Sequence, residues 1–197
     1  RECVTTSTEP HTAPHASRGG AEMLILVDSM DRETGTAEKL EAHVKGALHR
    51  AFSIIVWDGR GRMLLQQRDK GKYHSGSLWT NTCCGHPRPG EATHAAALRR
   101  LQEEMGFTCA LTSLGTISYR AEFANGLIEH ELVPVFRGLY DGPVNPDPAE
   151  AQAFTWATLD EIRAAIAKDP ENYSVWFRQY VAAEWPTALA PPPPSTA

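Results

Sequence analysis

The chain has 197 residues, 42% of them apolar, with 19 Lys+Arg against 24 Asp+Glu and a formal net charge of -5. That length suits one domain of roughly 150 residues with tails, and the apolar share is enough for a packed core without staples. The mild acidity excludes a protein that coats nucleic acid by charge, but not an anionic substrate met by a local basic cluster.

Residues 1–20, rich in Thr, Ser, Pro, His and Gly, read as a flexible tail without the apolar segment of a secretory signal. A domain is expected over 21–186. Met23–Val27 is predicted as a strand, followed by Asp-rich turn signals. Ala51–Trp57 reads as a strand ending at Asp58-Gly59, a hairpin signal, with Met63–Gln67 returning. Residues 68–80 are polar and are expected to form a loop. Ala92–Met105, rich in Ala and Leu, predicts a helix stopped by Gly106. Leu111–Ala121 and Leu127–Leu139 read as strands joined around Asn125-Gly126. Thr158 and Glu161 form a capping box that opens a helix to Lys168. Ser174–Glu184 predicts a last helix halted by Pro186, and 187–197 is a Pro-rich tail that cannot be helical. Strands in the middle with helices between and after them imply an α/β sandwich on a mixed central sheet, not a repeating βαβ array.

Of the cysteines Cys3, Cys83, Cys84 and Cys109, two are adjacent, a poor arrangement for a disulfide framework. This points to a reducing cytoplasm. No apolar run approaches the ~18 residues of a membrane span. His11, His15, His74, His94 and His130 read as tail, surface or structural residues, and Cys109 as a small buried hydrophobe.

From Gly85 the chain runs GHPRPGEATHAAALRRLQEEMGF. Glu91 follows Gly85 after five residues, and Arg99 follows Glu91 after seven. This resembles the Nudix box, with Arg100 standing where the box carries Glu. Helical spacing pairs Arg99 with Glu103 and Arg100 with Glu104. Carboxylates at the end of such a helix can hold Mg²⁺, which needs only one or two of them plus phosphate oxygens. A cation in place of an acid lowers the capacity for metal and adds a phosphate-binding group. That favours holding a diphosphate over cleaving it.

Around the box lie His43, His49, His86 and the run Glu129-His130-Glu131. On a strand, Glu129 and Glu131 share a face and His130 opposes them. Two like carboxylates between Leu127 and Val133 are costly unless a cation joins them. Three imidazoles and two carboxylates suit a divalent transition metal such as Zn²⁺ or Mn²⁺.

Several separate segments together resemble the type I isopentenyl diphosphate isomerase family. They are Lys39-Leu40-Glu41-Ala42-His43, His49-Arg50-Ala51-Phe52, Gln67-Arg68 with Lys72-Tyr73, Trp79 to Pro87, the altered box, Tyr119-Arg120-Ala121 and Glu129-His130-Glu131, with Trp176 further on. The resemblance runs from about Glu22 to Trp185. It implies interconversion of isopentenyl and dimethylallyl diphosphate, in isoprenoid biosynthesis, by adding a proton to one face of the alkene and removing another. Cys84 and Glu131 are then the two proton-transfer groups, Tyr119 relays at Glu131, and Trp176 covers the apolar end of the pocket. Cys84 is favoured over Cys83 because it directly precedes Gly85-His86-Pro87.

The resemblance further implies metal ligands His43, His49, His86, Glu129 and Glu131, holding Zn²⁺ or Mn²⁺ (or Mg²⁺). Lys39, Arg68, Lys72 and Arg100 meet the diphosphate, and a Mg²⁺ bridges it to Glu104. No flavin, nucleic-acid or membrane partner is expected, and the chain is read as a monomer or weak homodimer. The competing readings are a Nudix hydrolase of a nucleoside diphosphate derivative, and a catalytically silent binding module.

Overall fold

A computed structural model describes residues 22–72 and 74–183; the tails expected at 1–20 and 187–197, and the stop at Pro186, lie outside them. Ten strands form one sheet. In chain order they are β1 (Met23–Val27), β2 (Glu33–Glu38), β3 (His49–Arg50), β4 (Phe52–Trp57), β5 (Met63–Arg68), β6 (Trp79–Thr80), β7 (Cys83–Gly85), β8 (Leu111–Glu122), β9 (Ile128–Leu139) and β10 (Ala151–Ala157). The helices are α1 (Lys39–Lys45), α2 (Thr93–Met105), α3 (Leu159–Lys168) and α4 (Val175–Ala182). The sheet order is β10-β5-β4-β9-β3-β1-β2, with β6 on β5, β7 on β4 and β8 on β9. Only β3–β9 and β4–β9 pair in parallel, so the sheet is mixed, as expected.

β4 is buried at every position, the pattern of a central strand covered on both faces. Its alternate side chains feed two cores. Phe52, Ile54 and Val56 pack with Ala96, Ala97, Leu101 and Met105 of α2. Ile55 and Trp57 pack with Ile162 of α3 and with Trp176, Phe177 and Tyr180 of α4. The period of two along one strand thus assembles three layers.

Local signals account for several boundaries. Gly106 ends α2 in the left-handed region at φ 78° and returns its N–H to the carbonyl of Gln102. The Thr158/Glu161 capping box is formed at α3. Gly126, at φ 82°, turns the β8–β9 hairpin.

Several elements go beyond the expectation, among them the short strands β3, β6 and β7. β2, sequence ETGTAE, has no large apolar residue; it exists because its backbone completes the ladder of β1. α1 is only seven residues long, capped by the Glu38 side chain and by Gly46 in the left-handed region. β10 is fixed by pairing with β5. The loop expected over 68–80 ends in the short strand β6, and Arg68 belongs to β5.

Candidate active site

The strand register brings the predicted residues together. Glu131 of β9 stands opposite His49 of β3 on one side and Tyr119 of β8 on the other. On β7, Cys84 stands opposite Ser53 of β4, and Gly85 opposite Phe52. His43 arrives on α1, whose short length sets it near His49 with ring centroids 5.0 Å apart.

His43, His49, His86 and Glu131 offer ligand atoms that all lie within 4.8 Å of one another. His86 Nε2 is 3.0 Å and His49 Nε2 3.5 Å from Glu131 Oε1. The Nδ1 atoms of His43 and His49 lie 2.6 Å from the Lys39 carbonyl and 2.9 Å from the Ala47 carbonyl. Donating Nδ1–H to a carbonyl leaves the other ring nitrogen with the lone pair a metal requires. This donor set, three imidazoles and one carboxylate, fits a divalent ion. Burial and the neighbouring imidazoles lower the His43 pKa to about 4, so that ring is neutral and ligand-ready at neutral pH. Burial opposes the charged forms of His86 and Glu131. Their hydrogen bonds outweigh it, raising the first with help from Glu22 and lowering the second with help from His49.

Glu129 shares the face with Glu131 but lies outside this group. Its Oε1 is 2.9 Å from His74 Nε2. His74, read from sequence as structural, is buried, stacked on Phe123 at 4.7 Å and edge-on to Trp176 at 6.1 Å. His130 turns the other way, 3.1 Å from the Gly46 carbonyl, as alternation predicts. Glu22 was also unforeseen: its carboxylate lies 2.8 Å from Lys39 Nζ and 3.4 Å from His86 Nδ1.

The adjacent cysteines face opposite layers. Cys83 is fully buried in the α2 core, whereas Cys84 packs against the α3–α4 core. The Cys84 sulfur lies 3.2 Å from Ser53 Oγ, which is 2.8 Å from the Tyr180 hydroxyl. Burial pushes its thiol up to about 12; hydrogen bonds from Ser53 and Asn81 work against this, and the charge of Glu131 adds to it. Burial and the charges of Glu129 and Glu131 also raise the Tyr119 phenol. The Tyr119 ring lies 6.5 Å from Trp176, T-shaped. The Arg68 guanidinium sits 5.2 Å over the Trp176 ring and donates to the carbonyls of Ser75 and His74.

Lys72 and Arg100 meet on Glu150, with the Arg100–Glu150 contact at 3.1 Å. Arg100 also pairs with Glu104, whose other oxygen accepts from Gln66 at 3.0 Å. Arg99 pairs with Glu91 at 2.7 Å and with Glu103 at 3.2 Å. Glu104 therefore lies in an ion-pair network apart from the four-residue metal group. Lys39 and Arg68 stand outside that network, and so the four expected diphosphate cations divide between separate partners. Glu150 was unforeseen from sequence; it immediately precedes β10, and its carbonyl accepts from the Asp69 N–H at 3.0 Å.

The NUDIX domain family matches residues 47–180. An isopentenyl-diphosphate Delta-isomerase of Burkholderia multivorans is 54% identical over 156 residues, covering 79% of this chain and 89% of its own. The chain belongs to this isomerase family within the NUDIX domain proteins. An isopentenyl-diphosphate Delta-isomerase of Streptomyces griseus is 46% identical over 185 residues, 91% of this chain and 93% of its own. Among solved structures, DR0079 from Deinococcus radiodurans superposes with a TM-score of 0.67 at 16% identity, over 81% of this chain and 97% of that one. That likeness concerns the fold. Among the described residues, no helix is long and apolar enough to cross a membrane.

Proposed function

We propose that this member of the isomerase family interconverts isopentenyl diphosphate and dimethylallyl diphosphate, with Cys84 and Glu131 as its two proton-transfer groups. An unactivated alkene is a very weak base, so the reaction needs an acid and a base held on opposite sides of the carbon skeleton. The π electrons of the alkene take a proton at the terminal CH₂, leaving positive charge on the tertiary carbon. The C–H pair of the allylic CH₂ then forms the new double bond as its proton departs. One group has lost a proton and the other has gained one; returning it restores the enzyme, and no bond to phosphorus changes.

The observation that carries this reading is the joint placement of the two groups. Glu131 lies in the metal group, Tyr119 stands opposite it in the ladder, and Tyr119 shares one packed cluster with Trp176 and Cys84. Trp176 covers the apolar end, and its π face can stabilise the developing cation by ~2 kcal/mol when water is excluded. The same ring already carries the Arg68 guanidinium.

His43, His49, His86 and Glu131 would hold a divalent ion, which would supply positive charge favouring the ionised Glu131 carboxylate, with Glu129 on the same strand face. We assign Zn²⁺ or Mn²⁺ (or Mg²⁺) to this group, and Glu104 to the Mg²⁺ that accompanies the substrate. Lys39, Arg68, Lys72 and Arg100 bind the diphosphate; Lys72 and Arg100 exchange the Glu150 carboxylate for phosphate oxygens. Held by its charged end, the substrate has its carbon chain fixed against the proton-transfer groups. No flavin enters this scheme. We further propose a cytoplasmic monomer or weak homodimer.

The test is incubation of the purified protein with isopentenyl diphosphate and Mg²⁺. Appearance of the allylic isomer with the diphosphate intact is expected. Release of phosphate from a nucleoside diphosphate derivative, without isomerisation, would instead support the hydrolase reading. The ion pairs joining Arg100, which stands where the box carries Glu, to Glu103 and Glu104 oppose that reading.

A further inference from the structure

Asn81 lies between β6 and β7 and is completely buried. Its amide uses both ends. Nδ2 donates to the carbonyls of Ile54 at 3.0 Å and Cys83 at 3.2 Å, and approaches the Cys84 sulfur at 3.3 Å. Oδ1 accepts from Trp176 Nε1 at 3.2 Å and from Thr80 Oγ1 at 3.0 Å, and lies 3.4 Å from the Cys84 sulfur. Ser174, the residue before α4, donates to Thr80 Oγ1 at 2.9 Å, so the start of the helix that carries Trp176 is tied to the same strand.

We propose that Asn81 is a positioning residue that holds the Cys84 sulfur and the Trp176 indole in fixed relation, so that the thiol meets the alkene while the ring covers the cation. This rests on the assignment of Cys84 and Trp176 above. The physical case is one of shared restraint. A Cys side chain has a single torsion between sulfur and backbone, and a Trp ring has two. One rigid, planar amide bonded to both removes the freedom of each relative to the other. Its remaining bonds to Ile54 and Cys83 anchor it to the central strand β4 and to β7. An amide suits the place because it presents a donor and an acceptor without charge in a buried site, where an ion would need a counter-charge.

Two substitutions separate its contacts. Asn81→Ala removes both the donor and the acceptor. Asn81→Asp keeps the shape and the acceptor for Trp176 but loses the donor to sulfur and to the Ile54 and Cys83 carbonyls. In both, kcat for isopentenyl diphosphate is expected to fall by roughly 100-fold, the scale of a misplacement of about 1 Å. KM should stay within about threefold, because the diphosphate contacts lie elsewhere. In ¹⁵N–¹H NMR spectra, the Trp176 indole resonance, identified by its disappearance in Trp176→Phe, should move upfield in Asn81→Ala and hold its place in Asn81→Asp.

A purely architectural Asn81 would leave that resonance unmoved, or would change KM and kcat together with the melting temperature; either result overturns the proposal. So does kcat within threefold of the parent in both variants. If Asn81→Ala does not fold, the isosteric Asn81→Asp decides alone, an unchanged kcat refuting the proposal and a lowered kcat with KM and melting temperature preserved supporting it. Cys84→Ala run in parallel separates the two layers of inference. If that variant still isomerises, the Cys84 assignment fails; if it is inactive while the Asn81 variants behave as the parent, only the present proposal fails.

Discussion

The molecule carries an acidic constellation on β9 and another on α2, and they are partnered differently. On β9, Glu131 faces the imidazoles of His49 and His86, with His43 beside them. On α2, Glu103 and Glu104 face the guanidiniums of Arg99 and Arg100. Imidazole is a neutral ligand that can share a carboxylate with a metal. A guanidinium is a permanent cation that satisfies the carboxylate itself. The same side-chain acid therefore faces neutral donors in one place and permanent cations in the other, and a Mg²⁺ at Glu104 would displace the Arg100 contact. The α2 helix here carries guanidiniums beside its acids, and the function proposed above puts the reactive groups on β7 and β9.

The comparison breaks most visibly at the thiol and at β9. Cys84→Ala and Glu131→Gln are each expected to lower kcat by about 10³-fold, within the range for a lost acid or base, with unchanged far-UV circular dichroism. A rate near that of the parent in either variant would remove it from the reaction. On the helix side the leading effect is on stability. Leu101, fully buried between α2 and β4, should cost about 2–5 kcal/mol when cut to Ala, read by denaturant unfolding. Activity per folded molecule should change far less.

Metal binding sharpens the contrast next. His49→Ala should weaken Mn²⁺ or Zn²⁺ binding by about 100-fold or more in calorimetry, since a ligand matters at least as much as its supporting partners. His130→Ala, one residue from Glu131 but turned to the Gly46 carbonyl, should leave affinity unchanged. Arg100→Glu, which restores the acid of the Nudix box, should raise KM for the diphosphate about 10-fold through loss of a charge-assisted contact. Hydrolysis should not appear, because the thiol-lined site is untouched.

The smallest expected effect lies at the rim of α2. Bonds from Arg99 lower the Glu91 carboxyl from its usual value of 4.5 to about 2. A depressed carboxyl contributes stability above its unfolded pKa and loses it as pH falls through the folded one. The Glu91→Gln deficit should thus be constant at neutral pH, at most about 1 kcal/mol for such a surface pair. It should vanish between about pH 4.5 and about pH 2, as followed by urea midpoints across that range.

What could be read in the sequence was what local chemistry controls. The α2 helix and its stop at Gly106, the Thr158/Glu161 capping box and the Asn125-Gly126 hairpin need only near neighbours. The shared face of Glu129 and Glu131 follows from alternation alone. β2 escaped because its ETGTAE sequence has no apolar alternation, β10 because its ladder partner β5 is distant in sequence, and α1 because seven residues carry too little periodicity. His74 read as structural because its partner, Glu129, is remote in sequence. Asn81 was legible only as part of the Trp79 to Pro87 segment, because its bond to Trp176 joins residues remote in sequence, and Glu150 carried no signal because its partners Lys72 and Arg100 are remote.

The account turns most directly on isotope transfer. Isopentenyl diphosphate and Mg²⁺ should be incubated with the protein in D₂O and followed by ¹H and ³¹P NMR. The expected result is dimethylallyl diphosphate carrying deuterium in its new methyl group, with the two phosphorus resonances of a diphosphate monoester unaltered. An alkene that stays where it began, while free phosphate accumulates, would contradict it.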